Sequence, residues 1–258
     1  MTTLTVEVAS RTHQGLVRKR NEDSYYQGQW LYAVADGLGG HVAGDVASRT
    51  AIDAIKKHDR LVQPQHAADV LGQAINDANA ALRRKVSAEP ELTGMGTTMV
   101  ALLRSDNHAV VANVGDSRAY LLRRRGSRTN MMAQITEDHT YQHLVAHARQ
   151  VPNLPAKLTR FLDGRPDGRS PDLTTLQLDP GDRLLLCSDG LSSYVPHESI
   201  QAVLSSHRSP GKAAEHLVTL ALDEGGHDNI TLIVIDVAPS STAGDWNTSA
   251  SIRRRRSG

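Results

Sequence analysis

Carboxylates follow apolar runs at two glycine-containing turns of this chain. The run 30–35 leads into Asp36 and a Gly-Leu-Gly-Gly turn, and the run 183–187 leads into Asp189 and a further glycine. Burying a lone ionised carboxylate is costly unless a partner such as a metal ion offsets that cost. Glycines allow the backbone to approach such a partner and leave a carbonyl free to bind it. Each turn therefore has two interpretations, a metal ligand or an ordinary Asp-Gly turn.

Three further acidic corners lie beside predicted strands. They are Asp116 after the run 109–114, Asp228 before the run 230–235, and Glu22-Asp23 after the short run 4–8. Oxygen ligands gathered at sheet edges suit Mg²⁺ or Mn²⁺. Coincidence is a poor explanation for five such corners, so the sequence predicts that they converge on one shared metal site.

Six short motifs strengthen this interpretation when they are taken together. They are Arg18-Lys19-Arg20-Asn21-Glu22-Asp23, Ala35-Asp36-Gly37-Leu38-Gly39-Gly40-His41, Gly94-Met95-Gly96-Thr97-Thr98, Val114-Gly115-Asp116-Ser117-Arg118, Ser188-Asp189-Gly190-Leu191 and Asp228-Asn229-Ile230-Thr231. In order and in approximate spacing they resemble the motifs of the metal-dependent Ser/Thr protein phosphatases, type 2C or PPM. The resemblance extends over residues 5–237, and the Asp36 motif is similar to the bacterial branch of that family.

The resemblance implies a fold and an activity. The fold is α+β, a four-layer α/β/β/α sandwich with two central antiparallel sheets flanked by helices. The activity is hydrolysis of phosphoserine and phosphothreonine in proteins by a hydroxide that bridges two Mn²⁺ or Mg²⁺ ions. Bacterial members of the family hold a third, weaker ion as well.

The resemblance also assigns the ligands of the two principal ions. Asp36 would bridge both ions, and Asp189 and Asp228 would complete the shell of the first. The carbonyl of Gly37 would help to hold the second. For each of these residues the alternative is a turn or capping role.

The remaining acidic residues would act at the margin of this centre. Glu22 and Asp23 would act mostly through metal-bound waters, which Mg²⁺ and Mn²⁺ often retain. Asp116 resembles the residue that, with Asp189, holds the third ion in bacterial members.

Arg18 is the candidate for gripping the substrate phosphate. It stands four residues before Glu22, which is the spacing of that arginine in the family. A planar guanidinium binds a phosphoryl group with two parallel hydrogen bonds. Lys19 and Arg20 compete for the same role, and a solvated basic loop is the alternative.

The proton donor to the leaving group departs from the family pattern. Eukaryotic members have a histidine directly after Asp-Gly, where this chain has Leu38. His41 is the candidate catalytic residue that could compensate. A metal-bound water is the other candidate, and His41 could equally be a residue of the first turn of a helix. Thr97, Thr98 and Asn229 are expected to be structural.

Composition excludes several classes of protein. The 258 residues carry a net charge of +1, from 29 basic and 28 acidic residues, and the one basic cluster is 253–256. The net charge argues neither for nor against a nucleic-acid partner, but because basic patches are lacking outside this cluster we expect none. Cys187 is the single cysteine, so an internal disulfide is impossible and a reducing compartment is expected. It lies in an apolar run rather than a phosphate loop, which favours inert packing over a nucleophile.

No signal sequence and no apolar run of about 18 residues is present, so a cytoplasmic protein without a membrane partner is predicted.

Hydrophobic periodicity predicts alternating layers of helices and strands. The predicted strands are 4–8, 97–103, 108–114, 119–123, 131–135, 173–178 and 230–237, together with the apolar runs that lead to Asp36 and Asp189. The predicted helices are 41–58, 67–86, 140–150, 198–204 and 212–222.

The predicted organisation is one catalytic domain, 1–239, followed by a disordered basic tail, 240–258. The proline- and glycine-rich stretch 151–171 belongs to a flap at about 139–171 and is predicted to be mobile. The expected partners are phosphorylated proteins, targets of Ser/Thr kinases, and a monomer is expected. Two other functions remain open: a catalytically weak phosphoprotein-binding module on the same fold, which should lack a metal aspartate, and a small-molecule phosphoesterase.

Overall fold

The computed structural model describes residues 4–38, 43–123, 131–141, 158–166 and 170–240. Within these ranges the strands are β1 Leu4–His13, β2 Asp23–Gln27, β3 Leu31–Leu38, β4 Gly96–Thr97, β5 Met99–Ser105, β6 His108–Val114, β7 Arg118–Arg123, β8 Met131–Gln134, β9 Asp172–Gln177, β10 Arg183–Cys187 and β11 Ile230–Pro239. The α-helices are α1 Gly44–Ile55, α2 Ala67–Ala88, α3 Asp189–Ser192, α4 His197–Ser206 and α5 Pro210–Asp223. Short 3₁₀ turns occupy Lys56–His58, Pro64–His66 and Pro90–Leu92.

Two antiparallel sheets form the centre of the fold. The first has the strand order β1-β11-β10-β7-β8, and the second has the order β2-β3-β5-β6-β9 with β4 paired to β3. The central strands β5 and β10 are buried on both faces, which explains why each is a continuous apolar run rather than an alternating one.

Helices cover the outer face of each sheet. The apolar faces of α1 and α2 pack on the second sheet, and those of α4 and α5 pack on the first. A third apolar cluster lies between the sheets and includes Val34, Val100, Leu184 and Ile233. The four-layer α/β/β/α sandwich is therefore confirmed, and aliphatic side chains build most of its core.

Most predicted elements are present with shifted ends. The strand at 4–8 extends to His13, and the helix at 41–58 has its α-helical part at Gly44–Ile55. Asp106 and Asn107 form the two-residue turn between β5 and β6, where Asp106 takes a φ of 49°.

One expectation about the acidic corners was wrong. Asp23 does not stand at the end of the first strand but opens β2, an edge strand that is absent from the predicted strands. The pattern Asp-Ser-Tyr-Tyr-Gln gives little periodicity, because β2 is half-exposed along its length.

Several predictions fall on residues that the structure does not describe. They are His41, most of the helix at 140–150, parts of the flap at 142–157 and 167–169, and the tail from 241 onward. The described part of the flap, 158–166, is pinned by backbone pairing of Leu162 with Thr97 and by Asn79, which accepts hydrogen bonds from the amides of Asp163 and Gly164. Among the described residues, no helix is both long and apolar enough to cross a membrane.

Candidate metal centre

The acidic corners meet at one end of the two sheets. Asp23 opens β2 and faces Asp36 of β3 directly across the strand pair. Asp116 follows β6, Asp189 opens α3 just after β10, and Asp228 lies two residues before β11. The structure thus gathers five predicted aspartates from both sheets, and the charges of neighbours in this group act on each of Asp23, Asp36, Asp116 and Asp189.

Glycines bring β3 and the start of α1 into backbone contact. A Cβ on Gly37 would collide with the carbonyl of Gly44 and lie 2.7 Å from the carbonyl oxygen of Glu22. A Cβ on Gly44 would collide with the carboxylate of Glu22 and lie 2.9 Å from the carbonyl oxygen of Gly37. At Gly37 the obstacle is backbone, so only glycine fits, whereas a side chain at position 44 would push the Glu22 carboxylate away. The Glu22 carboxylate and the Gly37 carbonyl oxygen therefore meet beside Gly44.

A buried Thr-Thr pair fixes the backbone of Asp36. Thr97 Oγ1 and the Thr98 amide donate to the Asp36 carbonyl at 2.8 and 2.9 Å, and the Asp36 amide donates to Thr98 Oγ1 at 3.0 Å. Thr98 Oγ1 also bonds the hydroxyl of Ser117, next to Asp116, at 2.8 Å. The structural role expected for both threonines is consistent with this, and its purpose is to orient a site residue.

Ser188 orients Asp23 from the opposite sheet. Its hydroxyl donates to Asp23 Oδ2 at 2.8 Å and accepts the amide of Thr231 at 3.0 Å. The neighbouring Gly190 has no room for a Cβ, which would collide with the carbonyl of Asn229. These contacts join the corners that carry Asp23, Asp189 and Asp228 into one rigid end of the sandwich.

Burial and mutual repulsion raise the pKa values of three of these carboxyls. Burial, followed by the charges of Asp23, Asp189 and Asp116, raises the pKa of Asp36 well above its ordinary value. Burial also raises the pKa of Asp23 to about 7 against the hydrogen bond from Ser188. Burial and then the charge of Asp228 raise the pKa of Asp189. The charge of Asp189 is thus among the causes of the raised pKa of Asp36, because neighbouring carboxylates disfavour each other's charged form.

Asp116 stands on a turn held by residues outside the motifs. The Gly115 amide donates to His139 Nδ1 at 3.0 Å, and the other ring nitrogen of His139 bonds Asp172 at 2.9 Å. Arg160, in the described part of the flap, donates to Asp172 at 2.6 Å. Burial, followed by the charge of Asp189, raises the pKa of Asp116 to about 7. Sequence reasoning missed His139, because a buried histidine after a short strand has no distinguishing pattern.

Arg18 lies at the mouth of the centre. Its Nη2 donates to Asp228 Oδ2 at 2.5 Å, and its side chain is 56% exposed. The hydrogen bond with Asp228 raises the pKa of Arg18, and the charges of Asp36 and Asp189 act in the same direction while burial opposes them. A positive, partly exposed guanidinium beside the carboxyls is placed to meet an incoming anion.

Asn229 holds the loop that carries Arg18. Its Nδ2 donates to the carbonyls of Gln14 and Arg20 at 2.8 Å, and its Oδ1 accepts the Glu22 amide at 2.7 Å. Every polar atom of this buried amide is therefore used to fix the loop. The expected structural role of Asn229 is consistent with these contacts.

Two oxygens in the centre are buried without a hydrogen-bond partner, Asp23 Oδ1 and Asp189 Oδ1. Buried polar atoms are nearly always satisfied, so each oxygen is a place where a cation could supply the missing interaction. The atoms available as metal ligands are carboxylate and carbonyl oxygens, which are the ligands that Mg²⁺ and Mn²⁺ prefer. The residues therefore fit a divalent cation.

The side chains of the described residues are not arranged as a complete set of metal ligands. Within the described ranges, no group of three or more His, Cys, Asp or Glu side chains could hold an ion as it stands. Arg18 is hydrogen-bonded to Asp228. Binding of an ion at Asp228 would have to displace the guanidinium, and it also requires the ionised forms of Asp36 and Asp189, whose pKa values are raised.

Cys187 is fully buried in β10, and burial raises the pKa of its thiol to about 12. A thiol with that pKa is not a nucleophile at neutral pH, so the chemistry belongs to the carboxyl centre.

The sandwich and its acidic end define the class of protein. Two antiparallel sheets between helices, with aspartates from both sheets at one end and an arginine at their mouth, are the arrangement of a metal-dependent phosphatase domain. A family model described as Protein phosphatase 2C matches residues 10–220, and the chain belongs to that family of metal-dependent protein Ser/Thr phosphatases.

Curated relatives include bacterial phosphatases. The chain is 41% identical over 245 residues to the serine/threonine protein phosphatase PstP of Mycobacterium tuberculosis, covering 91% of this chain and 46% of PstP. It is 36% identical over 242 residues to the serine/threonine phosphatase stp of Listeria welshimeri, covering 88% of this chain and 94% of that protein. The chain thus spans about half the length of PstP but nearly all of the Listeria protein.

Solved structures agree with this relationship. The catalytic domain of PstP in complex with two manganese ions is 40% identical, with a TM-score of 0.82 and coverage of 92% of this chain and 100% of that domain. PppA of Pseudomonas aeruginosa is 32% identical, with a TM-score of 0.80 and the same coverage. The predicted family and fold are therefore confirmed, and a relative binds the predicted pair of metal ions.

Proposed function

We propose that this chain hydrolyses phosphoserine and phosphothreonine in proteins with two Mn²⁺ or Mg²⁺ ions. The observation that carries the proposal is the convergence of Asp23, Asp36, Asp189 and Asp228 beside the partly exposed guanidinium of Arg18. Like charges this close are unfavourable without cations, and a guanidinium beside them suits a phosphate that binds next to those cations.

The proposed ligand assignment is the one that the family resemblance implies, and the contacts of these residues support it. Asp36 is the proposed bridge, because its carboxyl interacts with both Asp189 and Asp23. Asp189 and Asp228 would hold one ion with it. The carbonyl of Gly37, which meets the Glu22 carboxylate beside Gly44, would hold the second. Asp23, oriented by Ser188, and Glu22 would accept hydrogen bonds from waters on the ions.

When bound, the two ions would neutralise the phosphate and lower the pKa of a water enough for it to attack phosphorus. Arg18 would then leave Asp228 and bind the phosphate oxygens, so one residue would serve the carboxyl cluster without substrate and the substrate when it arrives. Only the side chain of Arg18 would need to move, because Asn229 fixes the backbone of the loop on both sides of Arg18.

Asp116 is the proposed residue on the leaving-group side. Burial and then the charge of Asp189 raise its pKa to about 7, so it can carry a proton at neutral pH. It could also hold a third cation together with Asp189, as the family pattern suggests. His41 remains the rival proton donor and lies outside the described residues.

The extent of the domain, 1–239, and the flap at about 139–171 remain part of this proposal. We further propose that the domain acts in the cytoplasm on targets of Ser/Thr kinases. The single cysteine, buried and unable to form an internal disulfide, supports a reducing compartment. A monomeric state stays a prediction.

A direct assay separates the proposal from its two rivals. The protein should release phosphate from a phosphoserine protein in Mn²⁺, lose that activity in EDTA and regain it when Mn²⁺ is restored. Release from metabolite phosphates but not from phosphoproteins would favour a small-molecule phosphoesterase. Tight binding of a phosphoprotein without turnover in Mn²⁺ or Mg²⁺ would favour a binding module.

A further inference from the structure

We propose that Leu16, Val17 and Tyr194 form an apolar rim that receives an apolar side chain next to the phosphorylated residue of a protein substrate. This inference rests on the proposed function and names a substrate preference for the same site. The three side chains are 68%, 61% and 38% exposed, respectively, and are among the large hydrophobic side chains that the described surface presents to solvent.

Residues 226–227 contact both parts of the rim. The amides of Leu16 and Val17 both donate to the carbonyl of Gly226, at 2.7 and 3.3 Å. The ring of Tyr194 lies 5.1 Å from the imidazole of His227, centroid to centroid. Apolar residues that are far apart in sequence are therefore brought near one another around residues 226–227, unlike single exposed apolar residues scattered over a surface.

The rim is held in place before a substrate arrives. Besides the two bonds to Gly226, Gln14 Nε2 donates to the carbonyl of Arg18 at 2.7 Å, and Asn229 fixes Gln14 in turn. A loop ordered on both sides loses little conformational freedom on binding, so contacts with the substrate are not offset by ordering.

The rim borders the phosphate position. Val17 precedes Arg18, whose guanidinium lies 2.5 Å from Asp228. Tyr194 follows α3, the short helix that Asp189 opens, and its amide donates to the carbonyl of Leu191 at 3.3 Å, so it lies one turn after that ligand. Consecutive Cα atoms of a peptide are about 3.8 Å apart, so a residue next to a phosphoserine bound at Arg18 falls within reach of the rim.

The chemistry of the loop changes at Arg18. Residues 16–17 are apolar, whereas Lys19 and Arg20 follow on the other side. An apolar neighbour of the phosphoserine would cover Leu16 and Val17 and remove apolar surface from water, which is favourable in proportion to the area. Acidic neighbours of the phosphoserine would instead pair with Lys19 and Arg20. Recognition by the rim therefore predicts a preference for apolar neighbours, and recognition by the two basic residues predicts a preference for acidic ones.

Three phosphoserine peptides of equal length test the rim: one flanked by leucines, one by serines and one by glutamates. In Mn²⁺ the native chain should have a kcat/KM about fivefold to tenfold higher for the leucine-flanked than for the serine-flanked peptide, the range expected from partial burial of one or two aliphatic side chains. In the Leu16→Ser/Val17→Ser variant this ratio should fall toward one. The single variants Leu16→Ala and Val17→Ala should give intermediate ratios.

Leu61→Ser is the matched control. Leu61 is 54% exposed and follows the C-terminal end of α1, whose N-terminal end lies at the metal centre; twelve helical residues span about 18 Å. This variant should keep the native ratio. Circular dichroism and the midpoint of thermal unfolding check that all variants are folded.

The outcomes separate the rim from the phosphatase itself. Equal kcat/KM for the leucine- and serine-flanked peptides, a preference for glutamates, or an unchanged ratio in the double variant overturns the rim and leaves the proposed function standing. Failure to hydrolyse any of the three peptides in Mn²⁺ or Mg²⁺ overturns both.

Discussion

The central strands β10 and β11 carry charged groups at both ends. The two ends differ in how the cost of burying those charges is offset. At one end Arg183, 1% exposed, forms a two-pronged ion pair with Asp236 and donates to the carbonyls of Leu204 and His207. At the other end Asp189 and Asp228 lie among further carboxyls, and Asp189 Oδ1 has no hydrogen-bond partner.

The difference identifies which end is functional. Arg183 is fully compensated and joins β10, β11 and the end of α4, so its charge serves the fold. Burial and then the charge of Asp228 raise the pKa of Asp189, so this arrangement of carboxyls is unfavourable until a cation arrives. An unfavourable arrangement of charges is retained where it serves a site. Substitutions of the aspartates should therefore lower activity but not stability, whereas substitutions at the Arg183 end should lower stability but not activity.

The largest effect should follow from loss of a proposed metal ligand. Asp36→Ala or Asp189→Ala should lower kcat/KM in Mn²⁺ by about a thousandfold or more, since the stabilisation of transition-state charge by the ions is worth several kcal/mol. The metal-free variants should be at least as resistant to heat as the native chain, because one repelling carboxyl is gone. Activity assays and thermal unfolding in EDTA measure both quantities.

Asp236→Asn, in β11 at the Arg183 end of the first sheet, is the control. It should retain the native kcat in Mn²⁺ while unfolding at a lower temperature. Near-normal turnover by folded Asp36→Ala or Asp189→Ala protein would contradict the metal centre.

The next effect concerns stability at the opposite end. Arg183→Met should lower the free energy of unfolding by about 3 kcal/mol, because Asp236 and two helix carbonyls lose their donor. In a domain of this size that corresponds to a fall of roughly 6–12 °C in the unfolding midpoint. Calorimetry measures it, and activity per folded molecule should stay native. An unfolding midpoint equal to that of the native chain would mean that this ion pair contributes nothing to the fold.

Asp116→Asn should separate substrates by their leaving groups. Loss of the acidic group should reduce kcat on phosphoserine by about a hundredfold, since that alkoxide needs a proton, and much less on an aryl phosphate. Measuring kcat for both substrates across a Mn²⁺ titration tests this. Equal losses on both substrates, or a leaving-group dependence that appears only in His41→Ala, would reduce Asp116 to a turn residue.

The smallest effect should come from the phosphate grip. Arg18→Ala should raise KM about tenfold and lower kcat less, because a charge-assisted bond to the phosphate is lost in the ground and transition states alike. Arg20→Ala is the comparison, since the structure uses the carbonyl of Arg20 rather than its side chain to fix the loop. A larger loss in Arg20→Ala would mean that the phosphate arginine lies two positions further along.

The sequence predicted what strong local patterns encode. The strands that deliver Asp36 and Asp189 are apolar on both faces, and such runs next to Asp-Gly are legible without a structure. β2 was missed because an edge strand half-exposed to solvent has no clear period, and Asp23 was misplaced with it. Spacing in the chain could not show that Ser188 orients Asp23 or that His139 supports the turn of Asp116, because those bonds join positions brought together only by folding.

Anomalous scattering from a crystal grown with Mn²⁺ tests the central claim most directly. Data collected above and below the manganese absorption edge should show two adjacent peaks, one among Asp36, Asp189 and Asp228 and the other between Asp36 and the carbonyl of Gly37. Arg18 should have moved away from Asp228. An absence of manganese peaks at these aspartates, in protein that is active in the same buffer, would contradict the account.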